Sequence, residues 1–452
     1  MGEKKQQFHL EPDRGLLNDP NGLAYYKGKY YVFFQWNRFS KDHSYKEWGM
    51  FASADMVRWT FEGSALLPDQ TYDMCGIYSG SGLVINDRLY LFYTGNVKKD
   101  GRRESHQCMA VTENGKKFLK LGSIAETPPG FTSHFRDPKV FRTGAGGYCM
   151  VTGAQRENGK GALALFRSDD ALSWTYAGTP ALSEDYEMIE CPDLFRLDGR
   201  YVLLYCPQNR DNENDRDIAS FSAAKLVEFD EQSGMLNDGD LDQDFFRPDY
   251  GFDFYAPQTF EDGKGRRILY AWMSRMDSEQ ERIFSEGDPR IHCLTIPREL
   301  HLRNGKLVQL PVSELDELKR KPITVRRTGN RTADIHPSGR GYYTEFSNTE
   351  PEKELSVLIN DGEAALTWLP GEHTIRFTRT SWVTGEQESR ECPAGELRDA
   401  QIWCDCSSVE IFLNGGEIVF SSRIMPGSSV PGLMISGISD SAEINACNIE
   451  SI

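Results

Sequence analysis

The sequence predicts an all-β protein, a five-bladed β-propeller followed by a C-terminal β-sandwich. Three observations carry that reading. One strand–turn–strand pattern recurs five times in the first 310 residues, with copies opening at 18, 79, 136, 190 and 253, spacings of 61, 57, 54 and 63. Turn signals built on Gly, Asn and Asp punctuate nearly all of that stretch. Beyond about residue 322 the recurring motif stops while strand-like segments continue. A repeat that holds four strands reads as a propeller blade, and a period longer than the ~40–50 residues of familiar propeller repeats implies long inter-strand loops.

In chain order, the first copy opens at Asn18-Asp19-Pro20-Asn21-Gly22 and runs through an apolar strand, the turn Lys27-Gly28-Lys29 and an aromatic strand ending near Gln35. The second opens at Tyr78-Ser79-Gly80-Ser81-Gly82, the third at Arg136-Asp137-Pro138, and the fourth at Glu190-Cys191-Pro192-Asp193. The fifth opens at Asp253-Phe254-Tyr255-Ala256-Pro257-Gln258 and reaches Trp272. Outer strand pairs follow, as in the run from Trp48 to Trp59 and that from Ala162 to Trp174. Residues 1–310 are thus assigned to the propeller. Residues 311–322 are assigned to a linker, with a short amphipathic helix near 310–319. Residues 323–452 are assigned to an antiparallel sandwich, from alternating runs such as Leu355-Ser356-Val357-Leu358-Ile359 and Val409-Glu410-Ile411-Phe412-Leu413.

Composition narrows the function classes. At 452 residues, 39% hydrophobic and 26% charged, the chain is globular and long enough for two domains. Its 68 acidic against 51 basic residues, a formal charge of −17, disfavour nucleic acid and anionic membrane as partners. The N-terminal run Met1-Gly2-Glu3-Lys4-Lys5 has no apolar signal region, so a cytoplasmic protein with reduced, mostly buried cysteines is expected. No zinc-binding, phosphate-loop or serine-elbow motif occurs, and neither a metal nor a cofactor is called for.

Innermost strands of a propeller line its central channel, so equivalent motif positions meet at one mouth. Taken singly, each motif is an ordinary turn. Their joint placement at the starts of repeats brings Asp19, Asp137 and Glu190 from blades one, three and four to a shared cavity. Clustered carboxyls raise the pKa of at least one of them, and a neutral acid beside ionised carboxylates is what glycoside hydrolysis requires.

Several runs in register resemble glycoside hydrolase family 32, the β-fructosidases: His9-Leu10-Glu11-Pro12, Leu17 to Gly22, Phe34-Gln35-Trp36-Asn37, Tyr78-Ser79-Gly80-Ser81, Phe135-Arg136-Asp137-Pro138, Glu190-Cys191-Pro192-Asp193 and Ile296-Pro297-Arg298-Glu299-Leu300. The resemblance covers nearly the whole chain. It implies Asp19 as nucleophile, Glu190 as general acid/base and Asp137 as transition-state stabiliser. It further implies a substrate-binding set of Leu16, Leu17, Asn18, Pro20, Gln35, Tyr78, Ser79, Arg136 and Trp272 around the same acids. Leu16-Leu17 resembles the version found in intracellular bacterial sucrose-6-phosphate hydrolases. The implied activity is retaining hydrolysis of the terminal β-fructofuranosyl unit of sucrose or sucrose 6-phosphate. The alternatives are an exo-acting fructan hydrolase on the same acids and a non-catalytic sugar-binding propeller; an inverting arabinan-type glycosidase has less support. The expected partner is a small sugar (sucrose, its 6-phosphate or a short fructan), with homo-oligomerisation left open. Lys46, His43 and Arg210 are candidate phosphate contacts, each weighed against simple surface solvation.

Overall fold

The computed structural model describes residues 4–209, 220–329, 331–427 and 430–450; Arg210 lies outside them. Five antiparallel sheets stand around a central channel, their innermost strands being Gly15–Tyr26, Ile77–Ile85, Phe131–Arg142, Met188–Leu197 and Tyr255–Glu261. Each packs beside the next, and the fifth beside the first, which closes the ring. A short strand, Arg290–Ile291, adds to blade one in parallel at Gly15 and Leu16 and ties the fifth repeat to the first.

Blade strands are covered on both faces by neighbouring blades, so they read as apolar runs rather than alternating patterns. Lys29–Asn37 is buried from its second residue onward. Outermost strands such as Trp59–Leu66 and Leu119–Glu126 do alternate, with one face in water. The apolar cores lie between blades. Phe33, Trp48, Leu91 and Tyr93 fill the gap between blades one and two; Phe92, Phe135, Met150 and Phe166 fill that between two and three. Each such side chain contributes roughly 1.5–3 kcal/mol by leaving water.

Two features depart from the sequence reading. Among the described residues blade four has three paired strands, Met188–Leu197, Arg200–Gln208 and Ala223–Val227, and Phe246 meets it through an isolated bridge to Ala224. The segment that would supply a fourth strand carries Asp240, Asp242, Asp244 and Pro248, residues depleted from strands. Within 311–322 there is no α-helix: Ser313–Leu318 is a 3-10 helix, and Lys319–Pro322 is already an edge strand of the following domain. The one α-helix among the described residues is Ser278–Phe284, capped by Asp277 and inserted into blade five. No helix among the described residues is long and apolar enough to cross a membrane.

The C-terminal domain is a sandwich of a six-stranded and a seven-stranded antiparallel sheet. It is welded to the propeller by a buried polar network. Arg298 donates to Asp249 (3.0 Å), Gln309 (2.9 Å) and Ser421 (2.5 Å), and through Nε to Glu410 (3.1 Å). His9 lies between Asp405 (2.8 Å) and Glu410 (2.9 Å). Burial alone would lower the His9 pKa, but these two carboxylates carry it up to about 9.

Candidate active site

All five innermost strands slip register against their neighbours at equivalent points. The residues at the breaks are Asn18 and Asp19, Ser79, Asp137 and Pro138, Cys191 and Pro192, and Ala256 and Pro257. A bulge frees a residue from the ladder and re-aims its side chain. Proline, with no N–H to offer, follows the key residue in four blades, at Pro20, Pro138, Pro192 and Pro257. In blade two the place is taken by Gly80, where a Cβ would collide with the Phe92 carbonyl oxygen. Asp137 (φ 69°), Cys191 (φ 46°) and Ala256 (φ 49°) are held in left-handed backbone, at of order 1–3 kcal/mol each.

Just below this level, hydrogen bonds stitch one blade to the next. Asn21 accepts from Gly80 N (3.0 Å), Ser81 donates to Pro138 O (2.8 Å), and Lys139 pairs with Asp193 (2.9 Å). Asp193 also accepts from Thr259 N (2.6 Å) in blade five. Asn21, Ser81, Lys139 and Asp193 thus fix the ring, a short step along the chain from the level of Asp19, Asp137 and Glu190.

The re-aimed side chains converge. Cys191 Sγ lies 3.8 Å from Asp19 Oδ2 and 3.5 Å from Asp137 Oδ2, and Cys191 N donates to that same Asp137 oxygen (3.0 Å). One residue therefore touches acids of blades one and three while its chain neighbour is Glu190. Gln35 donates to Ser79 Oγ (2.5 Å), and Ser79 donates to Asp19 Oδ2 (2.5 Å). Glu190 Oε1 accepts from Arg136 Nη2 (2.6 Å) and Nε (3.2 Å), and Oε2 accepts from the Tyr255 hydroxyl (2.6 Å).

These contacts set the charges. Burial lifts the Asp19 carboxyl above its ordinary range, against the Ser79 hydrogen bond and the Lys46 charge. Burial also raises Asp137, to about 7, with Arg136 opposing and Glu190 reinforcing. At Glu190 burial pushes upward too, yet the Arg136 charge and the Tyr255 hydroxyl hold it below the usual glutamate value. Burial thus favours the protonated form of the two aspartates, while Arg136 and Tyr255 favour the ionised form of Glu190.

Carboxylates gathered at one mouth of a propeller are compatible with glycoside cleavage. The pattern for the glycosyl hydrolases family 32 N-terminal domain matches residues 9–311, and that for the family 32 C terminal matches residues 314–450. The chain belongs to glycosyl hydrolase family 32. It is 40% identical over 432 residues to a sucrose-6-phosphate hydrolase of Bacillus subtilis (strain 168), covering 93% of this chain and 89% of that one. It is 38% identical over 437 residues to that of Klebsiella pneumoniae, covering 95% and 90%. The solved sucrose-6-phosphate hydrolase from Lactobacillus gasseri superposes with a TM-score of 0.87 at 26% identity, covering 99% of this chain and 93% of that one. A Bombyx mori family 32 β-fructofuranosidase variant solved with sucrose gives 0.85 at 26% identity, covering 99% and 94%.

Within this family 32 chain, Asp19, Gln35, Ser79, Arg136, Asp137 and Glu190 stand together through Cys191 as one contact network, and Asn18 adjoins it with Lys46 as its partner. Tyr78 flanks it, its hydroxyl accepting from Arg103 (3.2 Å). The Trp272 ring lies 6.4 Å from that of Tyr255 and 6.2 Å from that of His43. Leu16 and Leu17 have no exposed surface and sit in apolar clusters, and Pro20 is buried against Phe34. Leu17 and Pro20 flank the bulge that re-aims residues 18 and 19.

Lys46 is not solvated at the surface as its polar surroundings suggested. It is buried, donates to Asn18 Oδ1 and meets His43 Nδ1 (3.1 Å), and burial lowers its pKa to about 8. His43 in turn contacts Glu281 (3.2 Å), which also holds His292 (2.9 Å). Tyr255 and Cys191 are functional neighbours that sequence reasoning quoted only as motif members. Their signal was available: both occupy the repeat position at which the acids of other blades sit.

Proposed function

We propose that this protein is a retaining β-fructofuranosidase that hydrolyses sucrose or sucrose 6-phosphate through a fructosyl-enzyme intermediate. The single observation that carries the reading is Cys191 in contact with Asp19 and Asp137 while adjoining Glu190. Asp19, oriented by Ser79, attacks the anomeric carbon of the fructosyl unit, and Glu190 protonates the departing oxygen. Water then enters, Glu190 takes its proton, and the fructosyl–Asp19 ester is cleaved with net retention. Asp137, with Arg136 beside it, grips fructosyl hydroxyls and favours the oxocarbenium-like transition state by its charge. Asn18, Gln35, Tyr78 and Trp272 shape the fructosyl pocket.

The proton must reach Glu190. Sugar hydroxyls donating to Asp19 and Asp137 favour their anions, and a fructosyl unit that draws Arg136 away removes what keeps Glu190 ionised. The three carboxyls act on one another's titration, so rate profiles report the set rather than one residue. A cytoplasmic site of action follows for the phosphorylated substrate, since a sugar phosphate does not cross a bilayer unaided. The relatives at 34–40% identity are sucrose-6-phosphate hydrolases, which favours this substrate class over fructan.

Initial rates on sucrose, sucrose 6-phosphate and inulin test the reading. Fructose release from either disaccharide well above inulin is the expected result. Sucrose binding without fructose release would replace the enzyme with a binding module.

A further inference from the structure

Helix Ser278–Phe284 of blade five carries Glu281, a buried carboxylate with no part in the chemical steps of fructosyl transfer. Its Oε1 meets two imidazoles, His292 Nε2 at 2.9 Å and His43 Nε2 at 3.2 Å. The other ring nitrogen of His43, Nδ1, lies 3.1 Å from the Lys46 ammonium, which also donates to Asn18 Oδ1. A chain of side chains thus leads from the helix to the residue beside the nucleophile.

Donor chemistry gives this chain one direction. An ammonium has only donors, so His43 Nδ1 accepts; the ring proton then sits on Nε2 and is donated to Glu281. Burial would raise the Glu281 carboxyl, but the bonds from His292 and His43 hold it down to about 2. Burial lowers Lys46 to about 8, against the charges of Asp19, Glu281 and Asp42. Arg423 adds its charge on the His292 side, and the Trp272 ring packs 5.1 Å from that of His292. His43 is half-exposed, so packing alone does not fix its ring; the bond to buried Glu281 does.

We infer that Glu281 is a positioning residue for the nucleophile: through His43 it holds the Lys46 ammonium against Asn18, beside Asp19. The inference rests on the reading of Asp19 as the nucleophile of a fructosidase. Lysine is a point charge on a flexible four-carbon stem, so where its charge lies is set by fixed acceptors around it. Held here, the ammonium favours the ionised, attacking form of Asp19. Its bond to Asn18 Oδ1 also fixes that amide, leaving the N–H groups for the fructosyl unit. Small errors in such placement are costly to rate.

A double-mutant cycle on kcat/KM for sucrose tests this. Glu281→Gln and His43→Ala should each lower it roughly tenfold in the wild type, yet by less than about twofold in a Lys46→Met background. A merely structural role would instead give falls that multiply. The amide of His43→Gln can accept from Lys46 and donate to Glu281 at once, so this variant should keep most of the wild-type rate. Half-exposed His43 tolerates substitution, so its variants carry the test even if Glu281→Gln fails to fold. Full falls in the Lys46→Met background would overturn the inference, as would His43→Gln being as slow as His43→Ala. So would unchanged rates in Glu281→Gln and His43→Ala while the wild type cleaves sucrose. A wild type that releases no fructose would bring down the fructosidase reading and this inference with it.

Discussion

Removing the Tyr255 hydroxyl isolates one determinant of the catalytic proton. That hydroxyl donates to Glu190 Oε2 at 2.6 Å, a short hydrogen bond to a carboxylate, worth about 1.5–3 kcal/mol. It favours the ionised form, so Tyr255→Phe raises the Glu190 pKa. At 1.36 kcal/mol per unit the rise is about one to two units. The phenyl ring keeps its place between Trp272 (6.4 Å) and Arg275 (4.7 Å), so geometry is preserved. With the carboxyls coupled, kcat/KM should fall as pH rises through about 7, the value for Asp137. In Tyr255→Phe that alkaline limb should move up by about one unit, because the set binds protons more tightly. The assay is the pH profile of initial rates on sucrose at low substrate. A limb that stays in place or moves down would refute the account of how Glu190 is charged.

Lys46→Met removes a positive charge that lowers the Asp19 pKa, so Asp19 takes up a proton at higher pH and the acid limb of the same profile shifts upward. Arg298→Met leaves Glu410 and Asp249 buried without their partner and should destabilise the protein by about 3–5 kcal/mol in urea unfolding. His9, raised to about 9 from an ordinary 6.5, contributes about 3 kcal/mol that is fully present below pH 6.5 and lost as pH climbs through 9. Urea midpoints at pH 6 and pH 10 should therefore differ more for the wild type than for His9→Gln. Cys191→Ser should retain most activity, whereas Cys191→Val, a β-branched residue forced to φ 46°, should lose stability and rate together.

Much of this was legible in the chain. Asp19, Asp137 and Glu190 could be placed together because the repeat carries each to the same height of a ring. The second half of each motif could not be told from the first. Asn21, Ser81 and Asp193 look as chemical as their neighbours, yet they hold blade to blade, because side chains on successive residues of a strand point to different surroundings. Lys46 sits in the polar run Ser44-Tyr45-Lys46-Glu47, which reads as solvent-facing; only the folded loop turns it onto Asn18. Leu16 and Leu17 were read by resemblance as ligand contacts, but strand pairing with Asn37 and Trp36 buries them completely. The missing fourth strand of blade four has its cause in a run of aspartates, while the repeat period alone suggested four. Where the proton rests depends on Arg136 and Tyr255, brought to Glu190 from blades three and five, and no local pattern encodes that meeting.

The covalent step offers the most direct trial. Glu190→Ala, mixed with a fructoside bearing a good leaving group and quenched rapidly, should carry one fructosyl unit on the peptide containing Asp19, and added azide should speed its release. An ester on any other residue, or fructose released with inverted anomeric configuration, would contradict the mechanism.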